Sequence, residues 1–141
     1  MLQGIKISSD HKNLDIQLIH SFVSQSYWAK NIPLQTLQKS IDNSLVFGAY
    51  NQNGEQVGFA RVISDKATFA YLGDVFVVDS YRGKGISKLL MEAVSSHPDL
   101  QGLRRFMLAT SDAHGLYSKF GFVAVENPDI LMQIWNPSVY E

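Results

Sequence analysis

The chain has 141 residues, 45% hydrophobic and 18% charged, an ordinary balance for a globular domain. Twelve basic residues against thirteen acidic ones argue against a broad nucleic-acid or polyanion surface. Cysteine is absent, which excludes a disulfide framework, thiolate zinc sites and a covalent cysteinyl acyl-enzyme. The start MLQGIKISSDHKNL lacks the apolar core of a signal peptide. No apolar run approaches the ~18 residues that span a membrane. The expectation is one cytoplasmic domain over residues 1–141, with no membrane and no nucleic-acid partner.

Gly4 to Ser8 reads as a short edge strand. From Leu14 to Trp28 the residues Leu14, Leu18, Ile19, Phe22 and Val23 share one helical face, with Asn13 as N-cap. Pro33 suits the first position of a second helix with the stripe Leu34, Leu37 and Ile41. The period then shortens. Leu45–Tyr50 and Gln56–Ser64 read as strands, joined by Asn53-Gly54, which predicts a type I′ hairpin turn. Asp65-Lys66 marks the next turn, and Thr68–Val78 is a third strand rich in aromatic and β-branched residues.

Past Arg82-Gly83-Lys84-Gly85 the helical period returns, with Ile86, Leu89, Leu90, Ala93 and Val94 in one stripe that stops near Ser96, before Pro98. Arg105–Thr110 is a short strand. His114–Phe120 is a short helix with Asp112 as N-cap and Gly121 at its end. A last strand covers Leu131–Trp135. The βαβ unit makes the strands at 68–78 and 105–110 parallel within a largely antiparallel meander. The predicted class is α+β with a mixed sheet.

A glycine turn between a strand and a helix is a phosphate-binding arrangement. The helix start leaves backbone N–H groups unpaired, and its dipole adds positive charge there. Arg82 and Lys84 add cationic donors. The P-loop spacing is missing, and the third glycine of the dinucleotide fingerprint falls on Lys88. Taken alone, the turn is also consistent with a helix-capping surface loop.

The stretch from Asp74 through Arg82-Gly-Lys-Gly85-Ile-Ser87 resembles the acetyl-CoA-binding motif of the GNAT superfamily, the GCN5-related N-acetyltransferases. Arg82, Gly85 and Ser87 occupy its three defined positions, Ser87 being larger than the family pattern. Tyr117-Ser-Lys-Phe-Gly121-Phe122 resembles the family's second signature, at the matching distance. The resemblance covers Leu14 to Phe122. It implies a V-shaped opening between two parallel central strands, splayed by a β-bulge. It further implies acetyl-CoA as co-substrate, without a metal, held by Phe76, Val77, Val78, Arg82, Gly83, Lys84, Gly85, Ile86, Ser87, Thr110 and Tyr117.

The implied activity is acetyl transfer to a small-molecule amine, with Tyr117 as general acid and Val77 or Val78 as backbone oxyanion donor. Asp74 and His114 are the candidate bases. Tyr27, Trp28 and Asp74 are the candidate acceptor-binding residues. Competing readings are an acyl-CoA sensor without transfer and a peptide N-acetyltransferase. A homodimer using the edge of the C-terminal strand is a further expectation. His20 reads as structural, and His11 and His97 as surface residues.

Overall fold

The computed structural model describes residues 4–141. Five strands form one sheet in chain order: β1 Lys6–Ser8, β2 Leu45–Tyr50, β3 Gln56–Ser64, β4 Phe69–Val77 and β5 Arg105–Leu108. The first four are antiparallel neighbours, and β5 runs parallel to β4. Helices α1 Ile16–Val23 and α2 Leu34–Asp42 precede the meander, α3 Ile86–Ser96 crosses from β4 to β5, and α4 His114–Ser118 follows β5. The mixed sheet and α+β class match the expectation.

The two sheet faces bury different sets. Val46, Phe59 and Phe76 pack with Ile19, Val23, Leu37 and Ile41 of α1 and α2. Phe47, Ala60, Val62, Leu72 and Val77 pack with Ile86, Leu90, Met91 and Val94 of α3. Alternation along a strand explains this sorting in β2 and in β3 from Phe59 onward. In β4 the parity changes: Leu72 faces α3, yet Phe76, four residues on, faces α1. The cause is a bulge. Phe59 pairs with Phe76 and Arg61 with Gly73, so Ala60 faces two residues, Asp74 and Val75. One inserted residue turns every later side chain to the other face. Asp74 takes the strain of the bulge, at φ +54°.

The bulge also ends the parallel pairing. β4 and β5 are in register from Phe69–Arg105 to Leu72–Leu108, and no further. This is the implied splay, and it is why β5 stops at Leu108 rather than Thr110.

Other differences are local. Helix α1 begins at Ile16 with Asp15 as cap, its carboxylate accepting from Leu18 N–H, and Asn13 belongs to a preceding 3₁₀ turn. It ends at Val23, because Ser26 Oγ bonds the Val23 carbonyl at 2.6 Å and accepts from Ala29 N–H at 3.1 Å. Serines that bond nearby backbone in this way compete with helix continuation. Pro33 stands one position before α2. In the β2–β3 turn only Gly54 has positive φ, which excludes type I′. Instead Asn51 Oδ1 accepts from the N–H groups of Asn53 and Glu55, an Asx-type turn closed by Gly54. Leu131–Trp135 pairs with no strand among the described residues.

Candidate active site

Where β4 and β5 part, they leave a cleft of about 910 Å³ that runs from Phe22, Tyr27 and Trp28 past the bulge to the start of α3. It takes in Phe76, Val77, Arg82, Gly83, Gly85, Ile86 and Ser87 on one side, and Thr110 and Tyr117 on the other. Val78, Lys84 and His114 do not line it.

The helix end is built for an anion. Gly83 and Gly85 both have positive φ, +77° and +84°, which glycine adopts without steric cost. Gly85 is the residue before the first turn of α3 and carries no side-chain cap. The first helical bond runs from Leu89 N–H to Gly85 C=O, at 3.2 Å. The N–H groups of Gly85, Ile86, Ser87 and Lys88 therefore fall in the unpaired first turn. A Cβ on Gly83 would meet nothing within 4 Å, so the cradle is open. Arg82 is fixed by its Nε bond to the Val77 carbonyl, 3.2 Å, and its guanidinium lies 5.9 Å from the Phe22 ring centroid. The Lys84 ammonium sits 5.2 Å from the Tyr81 ring centroid.

Val77 and Val78 face opposite ways. Val78 N–H donates to Val57 C=O at 2.9 Å, so it is spent within the sheet. Gly58–Val77 is then the non-hydrogen-bonded pair, and the backbone polar groups of Val77 point away from β3. Of the two candidate oxyanion donors, only Val77 N–H turns toward the opening.

Tyr117 is buried, and α4 carries it to the cleft wall. Burial raises its pKa above the usual tyrosine value, with smaller contributions from Asp112 and Tyr27. Its helix has Ala113 and not Asp112 at the N-cap position and carries no side-chain cap; Thr110 Oγ1 accepts from Ala113 N–H at 3.0 Å in the turn that leads into it. Gly121, at φ +92°, lets the chain leave α4 with Phe122 N–H bonded to Tyr117 C=O at 3.3 Å. Phe122 then packs edge-on against Phe106 and near Tyr117.

Asp74 is buried, and both of its oxygens have donors. Trp28 Nε1–H reaches Oδ1 at 2.7 Å, and Arg61 Nε–H reaches Oδ2 at 2.8 Å. Arg61 is held in turn by Ser44 Oγ at 3.1 Å. Tyr27 stands edge-on to Trp28, and its hydroxyl accepts from Ser111 Oγ at 3.0 Å, joining the α1 side to the β5 side across the mouth. His114 lies on a separate groove behind β5, so the structure does not bring this candidate base into the cleft. His20 is structural as expected, its Nε2 bonding Ile32 C=O at 2.8 Å. His11 Nε2 bonds the carbonyls of Ile41 and Ser44 at the end of α2, and His97 Nδ1 accepts from Asp99 N–H.

Sequence reasoning missed Arg61, Phe22 and Ser111. For Arg61 a signal existed: a lone cation inside the apolar run Val57–Ile63 of a central strand, where charge is seldom buried unless paired. Phe22 looked like ordinary core, yet it stacks on Phe76 at 4.2 Å and floors the cleft beneath Arg82.

Comparisons with known proteins agree with this geometry. A solved structure of a GNAT-family protein from Xanthomonas campestris pv. campestris is 57% identical, superposes over 99% of both chains and has a TM-score of 0.95. A Gibberella zeae relative, provisionally named acetyltransferase FG08082, is 31% identical over 80% of this chain and 75% of its own. Glucosamine-6-phosphate N-acetyltransferase from Arabidopsis thaliana is 18% identical, with a TM-score of 0.65 over 93% of this chain and 97% of its own, a likeness of fold alone. The family model described as an acetyltransferase (GNAT) domain matches residues 8–134. That span leaves no part of the cleft outside it: the chain belongs to the GNAT acetyltransferase family.

Proposed function

We propose that this chain transfers an acetyl group from acetyl-CoA to the amine of a small molecule, directly and without a covalent enzyme intermediate. One observation carries the reading: the buried phenol of Tyr117 and the uncapped start of α3 open on the same cleft. The donor supplies an activated acetyl thioester. The N–H groups of Gly85, Ile86 and Ser87, with Gly83 giving the backbone room, would receive its pyrophosphate, and Arg82 and Lys84 would add charge. Phe76 and Val77 would take the pantetheine arm along the open edge of β4. Val78 contributes packing only, because its N–H is already bonded.

Val77 N–H stands as the oxyanion donor. Tyr117 holds a proton at neutral pH and delivers it to the leaving thiolate. Burial favours this role, since the raised pKa keeps the phenol neutral. Thr110 holds the turn that leads into α4 through its bond to Ala113 N–H.

In this reading Asp74 organises the acceptor side and does not take the proton. Its oxygens serve Trp28 and Arg61, and the Arg61–Asp74 pair is charge-neutral. Attraction for an ammonium then falls to the faces of Tyr27 and Trp28. The ammonium proton leaves through water at the open mouth, and no base role is given to His114.

The test is equilibrium binding of acetyl-CoA followed by thiol release across polyamines, amino acids, aminoglycosides, arylamines and peptides. Binding, with release driven by at least one small amine, is the expected result. Absence of binding rejects the reading. Binding without release for every amine supports a sensor, and release with peptides alone moves the acceptor to protein.

A further inference from the structure

The bulge end of the cleft carries two hydrogen-bond donors that the fold does not use. Arg61 gives its Nε–H to Asp74 at 2.8 Å and an Nη1–H to Ser44 Oγ at 3.1 Å. A guanidinium holds its N–H groups in a fixed planar fork, and Nη2 finds no acceptor among the described residues. Nor is it sealed in, since the Tyr50 hydroxyl is the one fully buried side-chain polar atom without a partner among them. The Arg61 side chain is 16% exposed, and it lines the cleft. Tyr71 is the second donor. It also lines the cleft, and its hydroxyl bonds no other described residue.

Strand register places the two donors around one recess. Arg61 pairs with Gly73 and Ile63 with Tyr71, so Arg61, Gly73 and Tyr71 share a sheet face. Arg61 and Tyr71 are then diagonal neighbours, about 7–8 Å apart at the backbone and within reach of one small group. Gly73 adjoins both and adds no side chain. A Cβ there would meet only Tyr71 Cε2, at 3.9 Å, so the space above it is open. Trp28 closes the recess on the helix side through its bond to Asp74.

Charge decides what fits. Arg61 and Arg82 are the cations among the residues that line the cleft, and Arg82 stands at the α3 end with the anion cradle. An anion at the bulge end therefore has Arg61 to meet. The Arg61–Asp74 pair is neutral as a whole, so it neither attracts a bare ammonium nor repels a zwitterion. A zwitterion gains at both of its ends: the carboxylate on Arg61 Nη2 and the Tyr71 hydroxyl, the ammonium on the faces of Tyr27 and Trp28. We propose that the recess takes the carboxylate of an amino carboxylate, and that such a compound is the acceptor amine. The second half rests on the acyl-transfer reading. Recognition of the carboxylate does not, so binding and turnover separate the two.

Calorimetric titration of the intact chain, with coenzyme A in excess, tests the recognition. The ligands are straight-chain amino carboxylates of increasing length, the alkylamines of matching length, and the matching amino amides. At the length that fits, the carboxylate is expected to bind roughly ten- to hundredfold tighter than either the bare amine or the amide. Tyr71→Phe keeps the ring and should cut that ratio by roughly tenfold. Gly73→Val, whose Cβ has room, fills the recess and should erase the ratio, with the far-ultraviolet circular dichroism unchanged. A ratio near one at every length overturns the proposal. So does an amide that binds as well as the carboxylate, or a ratio that both variants leave intact. Thiol release from acetyl-CoA is then followed with the same ligands. Carboxylate preference in binding without release keeps the recess and places the failure on transfer. Release without any preference keeps transfer and overturns the recess.

Discussion

Trp28 and Asp74, 46 positions apart in the chain, meet at 2.7 Å through the indole N–H and a carboxylate oxygen. The bond joins the loop after α1 to the bulge of β4 and so fixes the width of the cleft mouth. Arg61 holds the other carboxylate oxygen, and its own side chain is mostly buried. Removing either donor leaves a buried anion less satisfied, but the two losses differ. Trp28→Phe deletes one hydrogen bond to a charged acceptor and should cost about 1.5–3 kcal/mol. Arg61→Met leaves the carboxylate without a counter-charge and should cost about 3–5 kcal/mol. Urea unfolding of both variants checks the order, and a larger loss for Trp28→Phe would contradict it.

Tyr117→Phe keeps the ring that packs against Phe122 and removes only the hydroxyl. Under the proposed chemistry kcat falls at least roughly tenfold, the lower part of the range for a positioned proton donor. The dissociation constant for acetyl-CoA should stay within about twofold, since the pyrophosphate cradle is untouched. Under that chemistry the protonated phenol is the active form, and the pKa of Tyr117 is raised by burial. The alkaline limb of kcat should therefore begin above the ordinary tyrosine value of about 10, and it should vanish in the Phe variant. An unchanged kcat removes Tyr117 from the mechanism.

Much of this cleft was legible in the sequence, for physical reasons that differ by part. The turn Arg82–Ser87 and the spacing to Tyr117 are local signals, and local signals set backbone conformation directly: Gly85 takes the positive φ that only glycine adopts cheaply. The bulge was implied only by family resemblance, because Asp74 and Val75 continue an unbroken strand pattern and the extra residue exists only relative to Ala60 on another strand. The Arg61–Asp74–Trp28 array spans three elements, so no spacing along the chain announces it. The last strand failed for the opposite reason. Leu131–Trp135 has the composition of a strand, but a strand exists only when an edge pairs with it, and among the described residues none does.

The turn itself permits a graded test. A Cβ added at Gly83 meets nothing within 4 Å, so Gly83→Ala costs only the strain of a positive φ, about 1–2 kcal/mol of stability. Gly85→Ala pays a similar strain at φ +84° and also places a methyl at the start of α3, where the free N–H groups open on the cleft. Acetyl-CoA binding should therefore weaken more for Gly85→Ala than for Gly83→Ala, although the two lose similar stability. Calorimetric binding alongside thermal unfolding separates the effects. Equal losses of affinity would mean that backbone strain, and not access to the N–H groups, governs the site.

Tyr50 offers a prediction away from the cleft. Its hydroxyl is buried without a hydrogen-bond partner, and its pKa is raised, first by burial and then by Asp10 and Asp15. A raised pKa in the folded state means that the folded chain holds the phenolic proton to higher pH than the unfolded chain does. That contribution to stability is complete below the unfolded value of about 10 and is lost as pH rises through the folded value. Tyr117 titrates in the same sense. Stability should therefore fall above pH of about 10, and Tyr50→Phe should make the fall shallower. At neutral pH the same substitution removes an unsatisfied buried hydroxyl and leaves the ring in place, so it should be neutral or stabilise the fold by about 1 kcal/mol. Denaturant unfolding at neutral and alkaline pH measures both effects. A loss of more than about 1 kcal/mol at neutral pH would show that the hydroxyl has a partner, such as a buried water, that sustains it.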